Sequence, residues 1–224
     1  MKVLALDTAL NACSVAVVDV QSGGFRVMAS ASSAMVRGHA EALVPMVAET
    51  MAQAELSFTE LDRIGVTIGP GTFTGTRIGV AAARGFGLAS AKTVVGVTTL
   101  QAVACNWRSE GMPVAVFFDA SRGEVYGQVF TGCDMLPVGE PLVLGIHDAA
   151  RVLPDGDVAL IGSGAHLVAN ALPHRQFSLP EVNILPDPVC VAVIAARSTL
   201  PPLPLYLRPP DAKPQVSLVS RAGQ

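Results

Sequence analysis

Apolar positions at the start of the chain come in short runs that glycine, proline or charged residues interrupt. Three of these runs, Lys2–Leu6, Ser14–Asp19 and Phe25–Ala29, are predicted to form strands. The segment QSGG at 21–24 has the residues of a tight turn, which favours antiparallel pairing of the last two strands. The chain therefore begins with a predicted meander of three strands.

Helical spacing of apolar residues appears next, in the segment His39–Ala54. These residues fall on one face of a helix, and Pro45 inside the pattern predicts a bend or a later helix start. The apolar stripe consists of Leu43, Met46, Val47 and Met51.

A glycine-rich turn separates the next predicted strand, Leu61–Ile68, from a helix predicted over Thr76–Ala91. Gly79, Ala83 and Gly87 are spaced four residues apart, so one helix face is nearly flat. Glycine lowers helix stability by about 1 kcal/mol relative to alanine. This face therefore indicates close packing, either against the chain's own sheet or against a partner.

Strands and helices continue to alternate in the rest of the chain. The predicted strands are Thr93–Val97, Val114–Asp119, Glu124–Phe130, Ala159–Ile161 and an edge strand over Leu203–Leu207. The predicted helices are Thr99–Trp107, one from about Ala165, and Val189–Ala196. Such alternation gives a mixed sheet with helices on its faces. The initial order βββαβα suggests the ribonuclease H-like core of the actin-like ATPases, so we predict an α/β fold of two such lobes with a cleft between them.

Three segments follow from this division of the chain. Residues 1–105, completed by 190–210, are predicted to form the first lobe, and residues 106–189 the second. Residues 209–224 are polar and contain proline, which predicts a flexible tail.

Composition argues against several classes of protein. No apolar run approaches the roughly 20 residues of a membrane helix, and MKVLALDTAL reads as a strand rather than a signal peptide. We therefore expect a cytoplasmic protein. The formal net charge is −3 and the 15 basic residues are dispersed, without the clustered footprint of a protein that binds RNA alone. Any contact with RNA is expected to depend mainly on another subunit.

Metal-binding spacings are missing from the sequence. The cysteines at 13, 105, 133 and 190 form no CxxC or CxH pair. The histidines at 39, 147, 166 and 174 are never three or four residues apart, and HExxH does not occur. The sequence therefore predicts no metal site.

A few residues are weak candidates for binding a nucleotide or a phosphate. Asp7 ends the first strand, where a carboxylate can orient a hydroxyl or a metal-bound water, or simply cap a turn. Gly69, Gly71 and Gly75 give GxGxxxG, which is one residue longer than the dinucleotide fingerprint and lacks the P-loop lysine. The following helix still offers free N–H groups to an anion. Asp119 lies in a polar turn that is either a second phosphate contact or a solvated loop.

Six segments carry a family resemblance. They are LALDTALNACSVAV, RGHAEALVPMV, IGPGTFTGTRIGVAAARGFGLA, VVGVTTLQAVA, DASRGEVYGQVF and PLYLRP. In this order and spacing they resemble the TsaB (YeaZ) family of bacterial tRNA threonylcarbamoyladenosine synthesis. The resemblance covers about residues 1–210, and the glycine-rich segment together with DASRGEVY makes it specific.

The resemblance implies a fold of two actin-like lobes and a non-catalytic role. The partners it implies are the catalytic paralogue TsaD and the ATPase TsaE. Their complex transfers a threonylcarbamoyl group from its adenylate to N6 of adenosine-37 in tRNAs that read ANN codons. The chain is expected to need no cofactor of its own, with ATP and metal on the partner subunits, and to meet tRNA only through the complex. No membrane contact is expected.

Alignment with TsaD bears on catalysis. TsaD has a metal-binding HxxxH whose positions correspond here to Thr99 and Val103. Neither residue can replace an imidazole at a metal, so the resemblance implies a fold without the catalytic centre. The wider family was long labelled as glycoproteases, and the absence of HxxxH and HExxH argues against a metalloprotease.

The resemblance also implies a docking surface. The first two helices of the family pack against the equivalent TsaD helices, and here they are His39–Ala54 and Thr72–Ala91. The expected contact residues are His39, Leu43, Met46, Val47, Met51, Arg77, Gly79, Ala83 and Gly87. Without TsaD, the same surface is expected to form a homodimer. The alternative function is an actin-like-fold ATPase or small-molecule kinase that uses Asp7 and the interlobe cleft.

Overall fold

The computed structural model describes residues 1–107 and 111–208 of the 224-residue chain. Its strands are β1 (Lys2–Asp7), β2 (Ala12–Gln21), β3 (Gly24–Ala34), β4 (Arg63–Thr67), β5 (Thr93–Val97), β6 (Val114–Asp119), β7 (Glu124–Thr131), β8 (Leu136–Gly145) and β9 (Ala159–Ile161). Its α-helices are α1 (His39–Gln53), α2 (Phe73–Ser90), α3 (Thr99–Ala104), α4 (Ala165–Ala171) and α5 (Pro188–Ala195). Short 3-10 helices occupy Phe58–Glu60 and Ile146–Arg151.

The first sheet has five strands in the order β3-β2-β1-β4-β5. The pairs β1–β2 and β2–β3 are antiparallel, whereas β1–β4 and β4–β5 are parallel. The predicted meander and the order βββαβα are therefore confirmed. Because β1 pairs with both β2 and β4, its carboxyl end at Asp7 lies in the middle of the sheet edge.

Helices cover both faces of the first sheet. Leu4, Leu6 and Val15 pack with the apolar stripes of α1 and α2 on one face. Val3, Ala5 and the other face pack against α5. Helix α5, the last helix of the described residues, thus returns to the first sheet.

The second sheet has four strands in the order β8-β7-β6-β9. Helix α3 packs on one face, and α4 with the 3-10 helix Ile146–Arg151 packs on the other. Sequence reasoning missed β8, because Pro137, Gly139 and Pro141 interrupt its apolar pattern. Prolines are tolerated there because β8 is an edge strand.

The predicted edge strand over Leu203–Leu207 is wrong. Leu205 donates its N–H to Ile68 O at 2.7 Å, but Pro202 and Pro204 have no N–H with which to extend a ladder. The segment is instead an extended strap along the first sheet.

Element boundaries otherwise shift by a few residues. Helix α1 begins at His39 despite Pro45, so a later start is wrong. Helix α2 begins at Phe73, where the Thr72 hydroxyl accepts a hydrogen bond from Gly75 N–H at 3.1 Å. Helix α3 ends at Ala104 rather than Trp107.

Two expectations about organisation stay predictions. The division into lobes at residue 105 has no separate test, although α5 packs against the first sheet as the completion of that lobe requires. The tail 209–224 lies outside the described residues. Across residues 1–107 and 111–208, no helix is both long and apolar enough to span a bilayer.

Candidate functional site

Asp7 lies at the carboxyl edge of the first sheet and is fully buried. Its Oδ1 accepts hydrogen bonds from Thr67 Oγ1 at 2.6 Å and from Ala9 N–H at 3.1 Å. Its Oδ2 has no hydrogen-bond partner among the described residues. This carboxylate is therefore a structural group within the sheet edge, closed off from solvent.

Burial raises the pKa of Asp7 from 3.8 to about 6, because the low-dielectric surroundings disfavour the charged form. The hydrogen bonds from Thr67 and Ala9 and the electrostatic effect of His39 act in the opposite direction. The negative charge of Asp7 adds to burial in raising the pKa of the Cys13 thiol to about 11.

The glycine-rich loop packs directly against the turn that follows β1. A Cβ placed on Gly71 would lie 2.4 Å from Ala9 O, and one on Gly75 would lie 2.1 Å from Thr8 O. Thr72 N–H donates to Ala9 O at 2.8 Å, and the Thr8 hydroxyl donates to Gly75 O at 2.7 Å. The chain's own backbone thus fills the space in which a phosphate would lie against this loop.

Gly69, the first glycine of the loop, has a φ of +105°, a conformation that favours glycine. Its carbonyl accepts a hydrogen bond from Thr99 N–H at 2.8 Å. Thr99 and Val103, which the alignment sets against the TsaD histidines, are both fully buried in α3. These two positions therefore belong to the packing between the sheets.

Asp119 is exposed at the end of β6 in the second sheet. Its carboxylate accepts a hydrogen bond from Ser121 N–H at 2.7 Å, and its own N–H donates to Ser163 Oγ at 3.1 Å. No hydrogen bond joins it to Asp7 within the described part of the chain. The weak nucleotide candidates are thus divided between a closed, buried edge and a separate surface turn.

The apolar stripe of α1 belongs to the chain's own core. Leu43, Val47 and Met51 are almost completely buried beneath the first sheet, and Met46 packs against the same cluster. His39 is also buried, and its Nε2 lies 3.0 Å from Leu10 O. The structure therefore corrects the expected contact set at His39, Leu43, Val47 and Met51, because buried side chains cannot contact a partner, whereas the partly buried Met46 stays a prediction.

The small residues of α2 are corrected for the same reason. A Cβ on Gly79 would lie 2.6 Å from Thr8 Oγ1, and one on Gly87 would lie 2.2 Å from Val94 Cγ2. Ala83 is fully buried between them. Their flat face lets α2 approach the sheet, so packing within the chain accounts for the glycine spacing.

Other residues of the two helices face solvent, and sequence reasoning missed them. Small side chains at i, i+4 and i+8 line the outer side of each helix. They are Val44, Ala48 and Ala52 on α1 and Ala81, Gly85 and Ala89 on α2. Leu88 is the most exposed of the large apolar residues on these helices, at 87%. The same four-residue spacing on the opposite helix face was the available signal.

Arg77 remains exposed, in a cluster of aromatic rings. Its Cζ lies 3.3 Å from the centroid of the Phe73 ring and 5.3 Å from that of Tyr206. The two ring centroids are 5.8 Å apart. Tyr206 reaches this position because Leu205 of the strap 203–208 hydrogen-bonds to Ile68 O just after β4, a contact that sequence spacing does not reveal.

The same strap connects the two sheets. Leu205 packs with the core of the first sheet, and Arg208 forms an ion pair with Glu124 at the start of β7. Arg197, just after α5, pairs with Asp134 at 3.3 Å in the turn between β7 and β8.

Several known proteins are similar in sequence to this chain over long stretches. A family model described as TsaD, tRNA N6-adenosine threonylcarbamoyltransferase, matches residues 30–135. An uncharacterized protein of Mycobacterium tuberculosis is 38% identical over 215 residues, covering 95% of this chain and 94% of that protein. The tRNA threonylcarbamoyladenosine biosynthesis protein TsaB of Escherichia coli is 35% identical over 130 residues, covering 56% of this chain and 53% of that protein.

A solved structure supports the same relationship. YeaZ from Pseudomonas aeruginosa matches with a TM-score of 0.77 and 29% identity, covering 92% of this chain and 99% of that one. Two mixed sheets flanked by helices place the chain among two-lobed proteins of actin-like fold. Within that class, the chain belongs to the TsaB (YeaZ) family.

Proposed function

We propose that this chain is a non-catalytic partner subunit in the biosynthesis of threonylcarbamoyladenosine in tRNA. Its partners are a TsaD-type catalytic paralogue and a TsaE-type ATPase. Their complex transfers threonylcarbamoyl from its adenylate to N6 of adenosine-37 in tRNAs that read ANN codons. ATP and metal belong to the partner subunits, and the isolated chain forms a homodimer.

The packing of the glycine-rich loop carries this proposal in a chain of the TsaB family. Gly71 and Gly75 lie against the backbone of Ala9 and Thr8, and Asp7 is buried beneath them. A phosphate at the N-terminus of α2 needs free N–H groups, but that of Thr72 is already bound to Ala9 O. This arrangement favours a structural role for the loop over catalysis.

The outer faces of α1 and α2 are the proposed docking surface for the TsaD-type partner. Small residues at four-residue spacing allow helices to pack closely, with ridges of one in grooves of the other. Val44 and Leu88 are 54% and 87% exposed, so apolar area is available beside the small residues. The TsaD-type partner is the one that the family resemblance implies. The exposed residues of α1 and α2 replace the buried residues that were first expected to contact it.

Copurification tests this docking surface. In a cell that also produces tagged TsaD, Ala48→Glu and Gly85→Glu each place a charge at the proposed seam and should abolish copurification. Leu167→Glu on α4, a partly exposed site of the second lobe, is the matched control and should copurify normally. Circular dichroism of each variant establishes that it is folded. Normal recovery of both seam variants with TsaD would overturn the surface.

Reconstitution tests the role itself. Modification of adenosine-37 by TsaD, TsaE and the threonylcarbamoyl-adenylate should require this chain, and the Asp7→Asn variant should still support it. Modification at the full rate without the chain would contradict the proposal.

The ATPase or kinase alternative has a separate measurement. Because Asp7 is closed off from solvent, the isolated chain is expected to hydrolyse ATP no faster than a blank. Turnover that is lost in Asp7→Asn would support the alternative.

A further inference from the structure

Helix α2 has two different edges, of which only one is open to solvent. Ile78, Ala82 and Phe86 lie along the edge towards α1 and pack with the core cluster that α1 shares. The other edge is defined here as the aromatic edge. It consists of Phe73, Arg77, Arg84 and Leu88, at spacings of four, seven and four residues, together with Tyr206 from the strap.

The rings of the aromatic edge are open to solvent although the guanidinium of Arg77 is held beside them. Phe73 and Tyr206 are 59% and 49% exposed. Arg77 Cζ lies 3.3 Å from the centroid of the Phe73 ring, and the Tyr206 ring centroid is 5.8 Å away, so the cation and the two rings form one cluster that stays open to solvent. Leu205 anchors Tyr206 through its hydrogen bond to Ile68 O at 2.7 Å.

The stretch of sequence that contains α2 is basic in a chain whose net charge is −3. Residues 63–109 contain no aspartate or glutamate. The basic residues of this stretch are Arg63, Arg77, Arg84, Lys92 and Arg108. Arg77 and Arg84 are exposed on α2 itself. An anionic ligand is therefore favoured here, and aromatic faces beside cations are the arrangement that stacks unpaired nucleobases.

We propose that the aromatic edge is a stacking platform for an unpaired nucleotide of RNA, with Phe73 and Tyr206 contacting the base and Arg77 and Arg84 facing the phosphates. The platform deepens the proposed function, which supplies RNA as the natural ligand. It lies beside the small-residue seam between α1 and α2 and shares Leu88 with the proposed docking surface. One nucleotide contact also agrees with the absence of a large basic footprint in the sequence.

Fluorescence anisotropy of the full-length chain tests the platform with two probes. One is a labelled single-stranded oligoadenylate of about 12 nucleotides, and the other is a blunt RNA duplex of the same length. The chain should bind the single strand more tightly. Phe73→Ala and Tyr206→Ala should each weaken binding to the single strand by about tenfold, since a stacked base contributes to that extent.

Two further variants separate stacking from charge. Tyr206→Phe keeps the ring and should retain the affinity of the unchanged chain. Arg77→Ala should weaken binding to the single strand. The slope of the logarithm of affinity against the logarithm of salt concentration should also fall by about one, because one phosphate contact is lost. Leu200→Ala, at an exposed apolar position after α5, is the matched control and should have no effect.

Three results would each overturn the platform. The first is equal affinity for the single strand and the duplex, and the second is an affinity of Phe73→Ala and Tyr206→Ala within twofold of that of the unchanged chain. The third is displacement of the RNA by micromolar AMP, which would indicate a site for free nucleotides. Loss of TsaD copurification in those two variants with normal RNA binding would indicate a protein contact instead. If RNA binding behaves as expected but TsaD never copurifies with the unchanged chain, the platform stands and the proposed function fails.

Discussion

Asp7 places a carboxylate where no solvent reaches it. One oxygen is held by Thr67 and Ala9, while the other has no partner among the described residues. An unpaired buried acceptor destabilises a fold, and an ionised one does so more strongly. Sequence reasoning placed Asp7 correctly at the end of β1 but could not distinguish an open site from a closed one, because that depends on how Gly71 and Gly75 pack.

The raised pKa of Asp7 predicts a specific dependence of stability on pH. Between pH 3.8 and about 6, the folded chain holds the Asp7 proton more tightly than the unfolded chain. The free energy of unfolding therefore falls as pH rises through this window, by about 3 kcal/mol from this group. The Asp7→Asn variant lacks this pH-dependent contribution to the free energy of unfolding.

Urea denaturation at several pH values between about 4 and 7 measures this difference. The stability of the unchanged chain relative to Asp7→Asn should decline as pH rises and level off above the raised pKa. Glu49→Gln, which removes an exposed carboxylate from α1, controls for the change in net charge. Parallel curves for the unchanged chain and Asp7→Asn would contradict the prediction.

At the scale of the element, the glycines of α2 have opposite roles along one helix. Gly75 faces the backbone of Thr8 at its start, whereas Gly85 has nothing within 4 Å of a Cβ position. The four-residue spacing of Gly79 and Gly87 indicated close packing, and the family resemblance made them expected partner contacts. Periodicity identifies two faces of a helix without saying which one the chain itself covers.

Matched substitutions distinguish these roles. Gly75→Ala brings a methyl group against Thr8 O and should lower the free energy of unfolding by about 1–3 kcal/mol. Gly85→Ala should raise it by up to about 1 kcal/mol, because alanine favours the helix and meets no neighbour. Thermal and urea unfolding of the two variants provide the comparison. A stabilised Gly75→Ala would show that the loop is not closely packed.

Secondary structure with regular patterns was predictable from the sequence, and irregular segments were not. Val114–Asp119 and Ala159–Ile161 were predicted with the bounds that the structure has. Strand β8 was missed because two prolines and a glycine interrupt it. An edge strand was predicted over Leu203–Leu207, although the prolines there prevent a ladder. The aromatic edge combines α2 with a strap far along the chain, so local spacing could not reveal Tyr206.

At the scale of the whole molecule, Arg63 joins the first sheet to the last helix. Its Nη1 donates to the carbonyls of Ala195 at 2.9 Å, Ala196 at 3.3 Å and Ser198 at 3.0 Å. The carbonyls of Ala195 and Ala196 lie at the C-terminal end of α5, so a cation there satisfies them and interacts favourably with the helix dipole. These hydrogen bonds hold the C-terminal end of α5 against the start of β4.

Removal of this side chain is expected to loosen α5. Arg63→Ala should lower the free energy of unfolding by about 1–2 kcal/mol, since carbonyls lose a charged donor at a half-buried position. Arg63→Lys should have an intermediate effect, because the ammonium group keeps the charge but is carried on a side chain of different length and geometry. Arg151→Ala, at a highly exposed ion pair, is the control and should change stability by less than about 0.5 kcal/mol. Equal losses of stability for Arg63→Ala and Arg151→Ala in urea denaturation would show that the Arg63 contacts do not hold α5 in place.

The position of α5 in the fold has a consequence for synthesis of the chain. A ribosome releases β1, β2 and β4 well before Pro188–Ala195, yet the face around Val3 and Ala5 is covered by that late helix. Until α5 emerges from the exit tunnel, this apolar face is open to chaperones or to other nascent chains. The first lobe therefore becomes fully stable only after α5 has emerged, although its strands are made first.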